Sequence, residues 1–188
     1  MPLLFSLVLG LCSTTAAERR SVKLKVAEPV LEELMGGCSM RCTFPWTVEV
    51  ASGPKTATTK LLNDEKATSA WISTSENATP TVLRFAFPKR LPREMEGEVP
   101  FYGLDVINGH WASEELWEQH ARIRKARVLY NGELMGEVQF ADSRRWQRLT
   151  FPDIMVRSGD VLTLEVLTVY PGKAGGLAIS EVVLQGAH

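Results

Sequence analysis

Histidine is scarce in this chain, three residues in 188, and the motifs that most often frame catalysis are missing. There is no Gly-x-Ser-x-Gly turn, no His-Glu-x-x-His pair and no glycine-rich loop opening a helix. Gly172, Gly175 and Gly176 follow one strand-like run and lead into another, so no helix N-terminus stands ready for a phosphate. Glu114 and Glu115 fall on a helix-like segment and read as solvated carboxylates. These absences argue against an enzyme. An excess of either charge is lacking too: 21 Lys and Arg face 22 Asp and Glu, a net charge of -1. Such a chain has no long-range field to attract nucleic acid or an anionic membrane. The densest basic groups, Arg122 to Arg127 and Arg144 to Arg148, read as solvated faces.

Long apolar runs are absent as well. Leu3 to Cys12 is the one near the start, and it is too short to cross a bilayer. Polar Ser13 to Thr15, small Ala16 and Ala17, and charged Glu18 follow it, which is the pattern of a secretion signal over residues 1–17. No Lys or Arg precedes the run, a departure from the usual pattern. Cysteine is sparse, with three in all, and cleavage after Ala17 removes Cys12. Cys38 and Cys42 remain. In an exported chain they form a candidate disulfide closing a tight loop; in a reducing compartment they stand as two free thiols. Zinc would need two further ligands, and no histidine lies nearby. Residues 18–37 read as a linker or N-terminal arm before a domain spanning 38–188.

What is present is β pattern. Trp46 to Val50 and Thr81 to Phe87 alternate with a period of two. Tyr102 to Ile107, Lys125 to Tyr130, Leu134 to Phe140, Trp146 to Phe151, Val161 to Tyr170 and Ala178 to Leu184 read as further strands. Asn131-Gly132 between two of them is a strong hairpin signal, because both central positions of that turn need positive φ. Only Ala112 to Arg122 reads as helix, with Leu116 and Trp117 as its apolar points. The expectation is an all-β, antiparallel jelly-roll β-sandwich with one short helix in a loop.

Several motifs in order sharpen this. Gly36 to Cys42 precedes the first strand, and Leu62-Asn63-Asp64 is followed by Trp71. Then come Val106-Ile107-Asn108-Gly109-His110, Trp117, Ala121 to Lys125 and a closing Ala178-Ile179-Ser180-Glu181-Val182. Together they resemble the bacterial NADase-type glycan-binding domain family, which belongs with the discoidin-like, galactose-binding-like sandwiches and the coagulation-factor type-C domains. The resemblance runs from about Gly36 to Gly186. It implies a jelly roll that binds ligands with loops at one end, and Asp64 and Glu181 placed together as ligands of a structural calcium ion. Glu65 stands where that family usually has Gly, and Lys66 where it often has a second acid, so the alternative is a loop tied by hydrogen bonds among Asp64, Ser69 and Glu181. The segment Pro171 to Leu177 lacks the acids common in that family, so the resemblance does not carry ligand identity.

A sugar site pairs a ring face with fixed hydrogen-bonding groups. Asn108 to Arg122 combines both: His110, Trp111 and Trp117 offer rings, and Asn108, Gln119 and Arg122 offer polar groups. The expected ligand-binding set is Asn108, His110, Trp111 and Arg122, with Trp111 foremost. Trp117 also reads as a core residue, and Arg122 as half of an ion pair with Asp105 or Asp142. Trp46, Trp71 and Trp146 read as core. The expected partner is a glycan or cell-envelope component, or a protein, with no cofactor beyond that calcium.

Overall fold

The computed structural model describes residues 47–52, 59–73, 80–87 and 99–186. The signal-like run 1–17, the arm 18–37, Cys38, Cys42 and Trp46 lie outside the described residues. Strands β1 (Thr47–Ser52), β3 (Thr81–Ala86), β8 (Val161–Tyr170), β5 (Arg122–Tyr130) and β6 (Glu133–Gln139) form a five-stranded sheet in the order β1-β3-β8-β5-β6. Strands β2 (Trp71–Ile72), β9 (Ala178–Gly186), β4 (Val99–Asn108) and β7 (Trp146–Val156) form a four-stranded sheet in the order β2-β9-β4-β7. Every pairing within the two sheets is antiparallel. This is the sandwich that period-two alternation predicts.

The alternation decides which side chains are buried. In β3, Leu83 and Phe85 are fully buried while Arg84 between them is exposed. Leu162, Leu164 and Val166 of β8 and Ala126 and Val128 of β5 join them from the same sheet. Leu104, Val106, Val182 and Leu184 approach from the opposite layer. Phe101 stacks on Phe151 with ring centroids 5.2 Å apart and meets Phe87 edge-on at 5.9 Å. Each fully buried aromatic or leucine contributes about 1.5–3 kcal/mol through removal of apolar surface from water. Trp71 sits in this core as expected, whereas Trp146 is half-buried and outside it.

The Asn131-Gly132 turn is present, with φ of 49° and 82°. Its tip is docked: Asn131 Oδ1 accepts from Val161 N at 2.9 Å, and Asn131 Nδ2 donates to Asp160 Oδ1 at 2.8 Å. A Cβ at Gly132 would meet nothing within 4 Å, so Gly132→Ala tests backbone conformation alone. We expect it to cost about 1 kcal/mol, read as a fall of a few degrees in the thermal midpoint.

Among the expected boundaries, those of the helix and of β7 shift most. The helix, α1, covers Glu114–Gln119 rather than 112–122. Ser113 caps it by accepting from Leu116 N at 3.1 Å, and it stops because His120 is already extended, with φ -102° and ψ 150°. Ala121 then donates to Gly176 O at 2.8 Å, and Arg122 opens β5, so strand pairing overrides helical propensity there. Strand β7 runs on to Val156, beyond the expected end at Phe151, because Val99 to Phe101 of β4 extend far enough to pair with it.

Candidate functional site

Three connections gather at one end of the sandwich: 109–121 between β4 and β5, 140–145 between β6 and β7, and 171–177 between β8 and β9. Residues of all three are joined by hydrogen bonds to the ends of the strands. Gly109, at φ 99°, turns the chain out of β4, and a Cβ there would lie 2.6 Å from Trp117 Cδ1. Trp117 packs over that gap, and its indole N–H donates to Asn108 O at 3.2 Å. The ring therefore serves the loop base and lies outside the central core.

Asn108 and Arg122 prove to be turned inward. Asn108 is 2% exposed; its Nδ2 donates to Ile123 O at 2.7 Å and its Oδ1 accepts from Ile123 N at 2.8 Å. Its amide clamps the end of β4 to the start of β5, which leaves neither polar atom facing a ligand. Arg122 donates to Asp142 through Nε at 2.8 Å and Nη2 at 3.1 Å, and through Nη1 to the carbonyls of Trp117 at 3.1 Å and His120 at 2.8 Å. Its guanidinium also lies 4.1 Å from the Trp117 ring centroid. Arg122 thus ties α1 to the 140–145 connection. Of the two acids that sequence offered as its partner, Asp142 is the one it meets; Asp105 pairs instead with Arg148, at 2.7 and 2.8 Å.

His110 and Trp111 remain at the surface of this end. The His110 and His120 rings stack at 5.7 Å and 19°. His110 Nδ1 is buried without a hydrogen-bond partner, and burial first, then the neighbouring His120, lowers its pKa. Both effects favour the neutral imidazole. Trp111 is half-buried and held at three points. Its backbone N–H donates to Ser180 Oγ at 2.9 Å, its indole N–H to Arg144 O at 3.2 Å, and its carbonyl accepts from Arg144 Nη2 at 2.8 Å. A fixed aromatic ring loses little freedom when a sugar stacks on it. Sequence reasoning missed Ser180 and Arg144. Ser180 stood in the closing Ile-Ser-Glu motif, whereas Arg144 carried no signal beyond membership of a basic cluster.

Asp64 and Glu181 are brought together. Asp64 accepts from Ser69 Oγ at both carboxylate oxygens, 2.8 and 2.7 Å, and from Lys66 N at 3.0 Å. Of the tie expected among Asp64, Ser69 and Glu181, the Asp64–Ser69 part is present. Glu181, opposite Ile107 on the β4–β9 ladder, is 2% exposed, and its Oε2 is buried without a partner. Burial, then the adjacent Asp64 carboxylate, pushes Glu181 up to about 8, against the pull of the Glu65 and Lys66 backbone N–H groups. Glu65 occupies the positive-φ position of the loop at 64°, where glycine would fit without strain. Two neighbouring carboxylates, one with an orphaned buried oxygen, are groups that suit a hard cation. Among the described residues no three His, Cys, Asp or Glu side chains converge on one point, so further oxygens would have to be backbone or water.

The fold and this loop-end geometry define a galactose-binding-like β-sandwich of the F5/8 type C class. Residues 47–185 match the NAD glycohydrolase translocation F5/8 type C domain family, and the chain belongs to it. Solved structures place it in the same architecture. A family 32 carbohydrate-binding module of Clostridium perfringens NanJ, solved with galactose, is 14% identical at a TM-score of 0.50, over 74% of this chain and 92% of that one. The first two family 32 modules of Clostridium perfringens ZmpB, solved with GalNAc, are 9% identical at 0.56, over 89% of this chain and 41% of theirs. A further Clostridium perfringens module, solved with GalNAc-beta-1,3-galactose, is 15% identical at 0.51, over 74% of this chain and 94% of that one. No curated protein matches the sequence. Among the described residues no helix is long and apolar enough to cross a membrane.

Proposed function

We propose that this chain is an exported, non-catalytic binding module that recognises carbohydrate or another cell-envelope component through the loops at one end of its sandwich. The observation that carries this reading is the Trp111 ring, fixed by Ser180 and Arg144 at the loop surface beside His110. Similar structures solved with galactose and GalNAc-containing sugars support the ligand class. The module extends over residues 38–188, after a signal over 1–17 and an arm over 18–37, with a destination in the periplasm, outside the cell or on its surface. A Cys38–Cys42 disulfide suits that destination. A calcium ion held by Asp64 and Glu181 would supply positive charge that neutralises both carboxylates and pins the 63–70 loop to β9.

The test is a glycan array with the wild-type chain and Trp111→Ala. Reproducible binding that weakens at least tenfold in the variant is the expected result, since one lost stacking ring costs about 1.4 kcal/mol or more. A second reading, a protein-contacting domain that assists translocation, draws on the family's name. Blank arrays together with a defined protein partner, whose binding survives Trp111→Ala, would replace the first reading by the second.

A further inference from the structure

The 140–145 connection is built more firmly than a solvent loop requires. Gln147, fully buried, accepts from Ala141 N at 2.7 Å and donates to Ala141 O at 3.0 Å, which pins the loop's base. Arg122 holds Asp142, and Trp111 exchanges hydrogen bonds with Arg144. A loop fixed at three points displays its remaining side chains in set positions.

Among those side chains Arg144, like Arg145, takes no part in the ion pairs found among the described residues. Arg122 meets Asp142, Lys125 meets Glu137, Arg127 meets Glu137 and Glu165, Arg148 meets Asp105, and Lys173 meets Glu118. Arg144 is exposed and its side chain has no acidic partner among the described residues; the one hydrogen bond its guanidinium makes there is Nη2 to Trp111 O. Its neighbour Arg145 is exposed as well. The nearby acid Asp142 is already neutralised by Arg122. A guanidinium has five N–H donors in a planar fork, so four remain for a partner that the protein itself does not supply. This cation is anchored on the same residue that offers the aromatic platform.

The geometry points to an acidic-sugar subsite: Trp111 stacks a sugar ring, and Arg144 takes an anionic substituent of that ring or its neighbour, a uronate carboxylate or a sulfate ester. The inference rests on the reading of Trp111 as a glycan platform and adds the charge of the preferred ligand. Arg144 is the specificity-determining residue, because a charge-assisted guanidinium–anion pair adds affinity that an uncharged sugar cannot gain.

The experiment compares three probes by calorimetry with the full chain: oligogalacturonate, sulfated galactan oligosaccharides and uncharged galacto-oligosaccharides. The wild type is expected to bind one or both acidic probes at least tenfold more tightly than the neutral one, with the advantage shrinking as salt rises from 50 to about 500 mM. Arg144→Gln should collapse the acidic-to-neutral ratio to near one, and Arg144→Lys should restore part of it. The carboxylate and sulfate arms identify which anion is read. Neutral binding without an acidic preference, or a ratio unchanged in Arg144→Gln, overturns the acidic-sugar inference and leaves the glycan reading standing. Failure of all three probes, with a protein partner found instead, removes both. Because Arg144→Gln also alters a bond to Trp111, equal weakening toward all probes would mark Arg144 as a brace only, and that too overturns the proposal.

Discussion

Replacing Arg122 by Met should lower stability by about 3 kcal/mol, roughly 10 °C in the thermal midpoint. The side chain is long enough to keep the packing against Trp117, so the loss isolates the guanidinium. Four hydrogen bonds disappear together: two to Asp142 and one each to the carbonyls of Trp117 and His120. Removing one member of a buried pair costs about 3–5 kcal/mol, mostly as the penalty of the abandoned partners. The lower end applies here because Asp142 is 38% exposed and is rescued by water, whereas Arg122 is 7% exposed. For the same reason Asp142→Asn should cost less than Arg122→Met, since it keeps a polar acceptor for the guanidinium. Sugar binding should fall too, through disorder of the loops on either side of Trp111. A variant that melts like the wild type yet binds no ligand would mean that Arg122 contacts the ligand directly, and that its inward bonds are dispensable.

The division between what could and could not be read beforehand follows from the range of each interaction. Strand β8 was legible because ten consecutive residues, Val161–Tyr170, carry their own pattern. The Asn131-Gly132 turn was legible because two adjacent residues decide it. The resemblance located Asp64 and Glu181, which lie 117 positions apart in sequence and interact electrostatically in the fold. Asp142 was one of two acids the sequence offered to Arg122, but the choice between them was not legible. Asp105 stands directly opposite Arg148 in the β4–β7 register, so Arg148 claims it and Asp142 is left for Arg122. Register across a sheet is a property of two distant segments, and no local pattern in either one states it. The same holds for Asn108: a buried amide on Ile123 and a ligand-facing amide look alike in a string of letters. The His110–His120 stack was hidden for a related reason, since it depends on α1 ending early enough for His120 to become extended.

Between about pH 4.5 and about 8, the wild-type chain should lose stability in a way that Glu181→Gln does not. The folded state holds a proton on Glu181 up to about 8, because burial and the Asp64 charge disfavour its carboxylate, whereas the unfolded chain releases it near 4.5. Across that window the native state binds more protons than the unfolded one, so stability falls as pH rises. The full contribution is present below the unfolded value and is gone once pH has passed the folded one. One such proton gives a slope of up to about 1.4 kcal/mol per pH unit. Glutamine keeps a neutral polar group in the same volume, so the variant should be flatter with pH and more stable than the wild type at pH 9. Paired melts at pH 5, 7 and 9 give the answer as a difference, which cancels the other titrating groups. Equal pH slopes for the two proteins would show that Glu181 ionises without penalty. Calcium adds an independent arm. The ion competes with the proton for the same carboxylates, so at pH 8 it should raise the wild-type midpoint and leave Glu181→Gln unmoved. A wild-type midpoint indifferent to calcium and chelator would remove the metal from this site, while the pH slope would still report the buried pair of carboxyl groups that folding forces together.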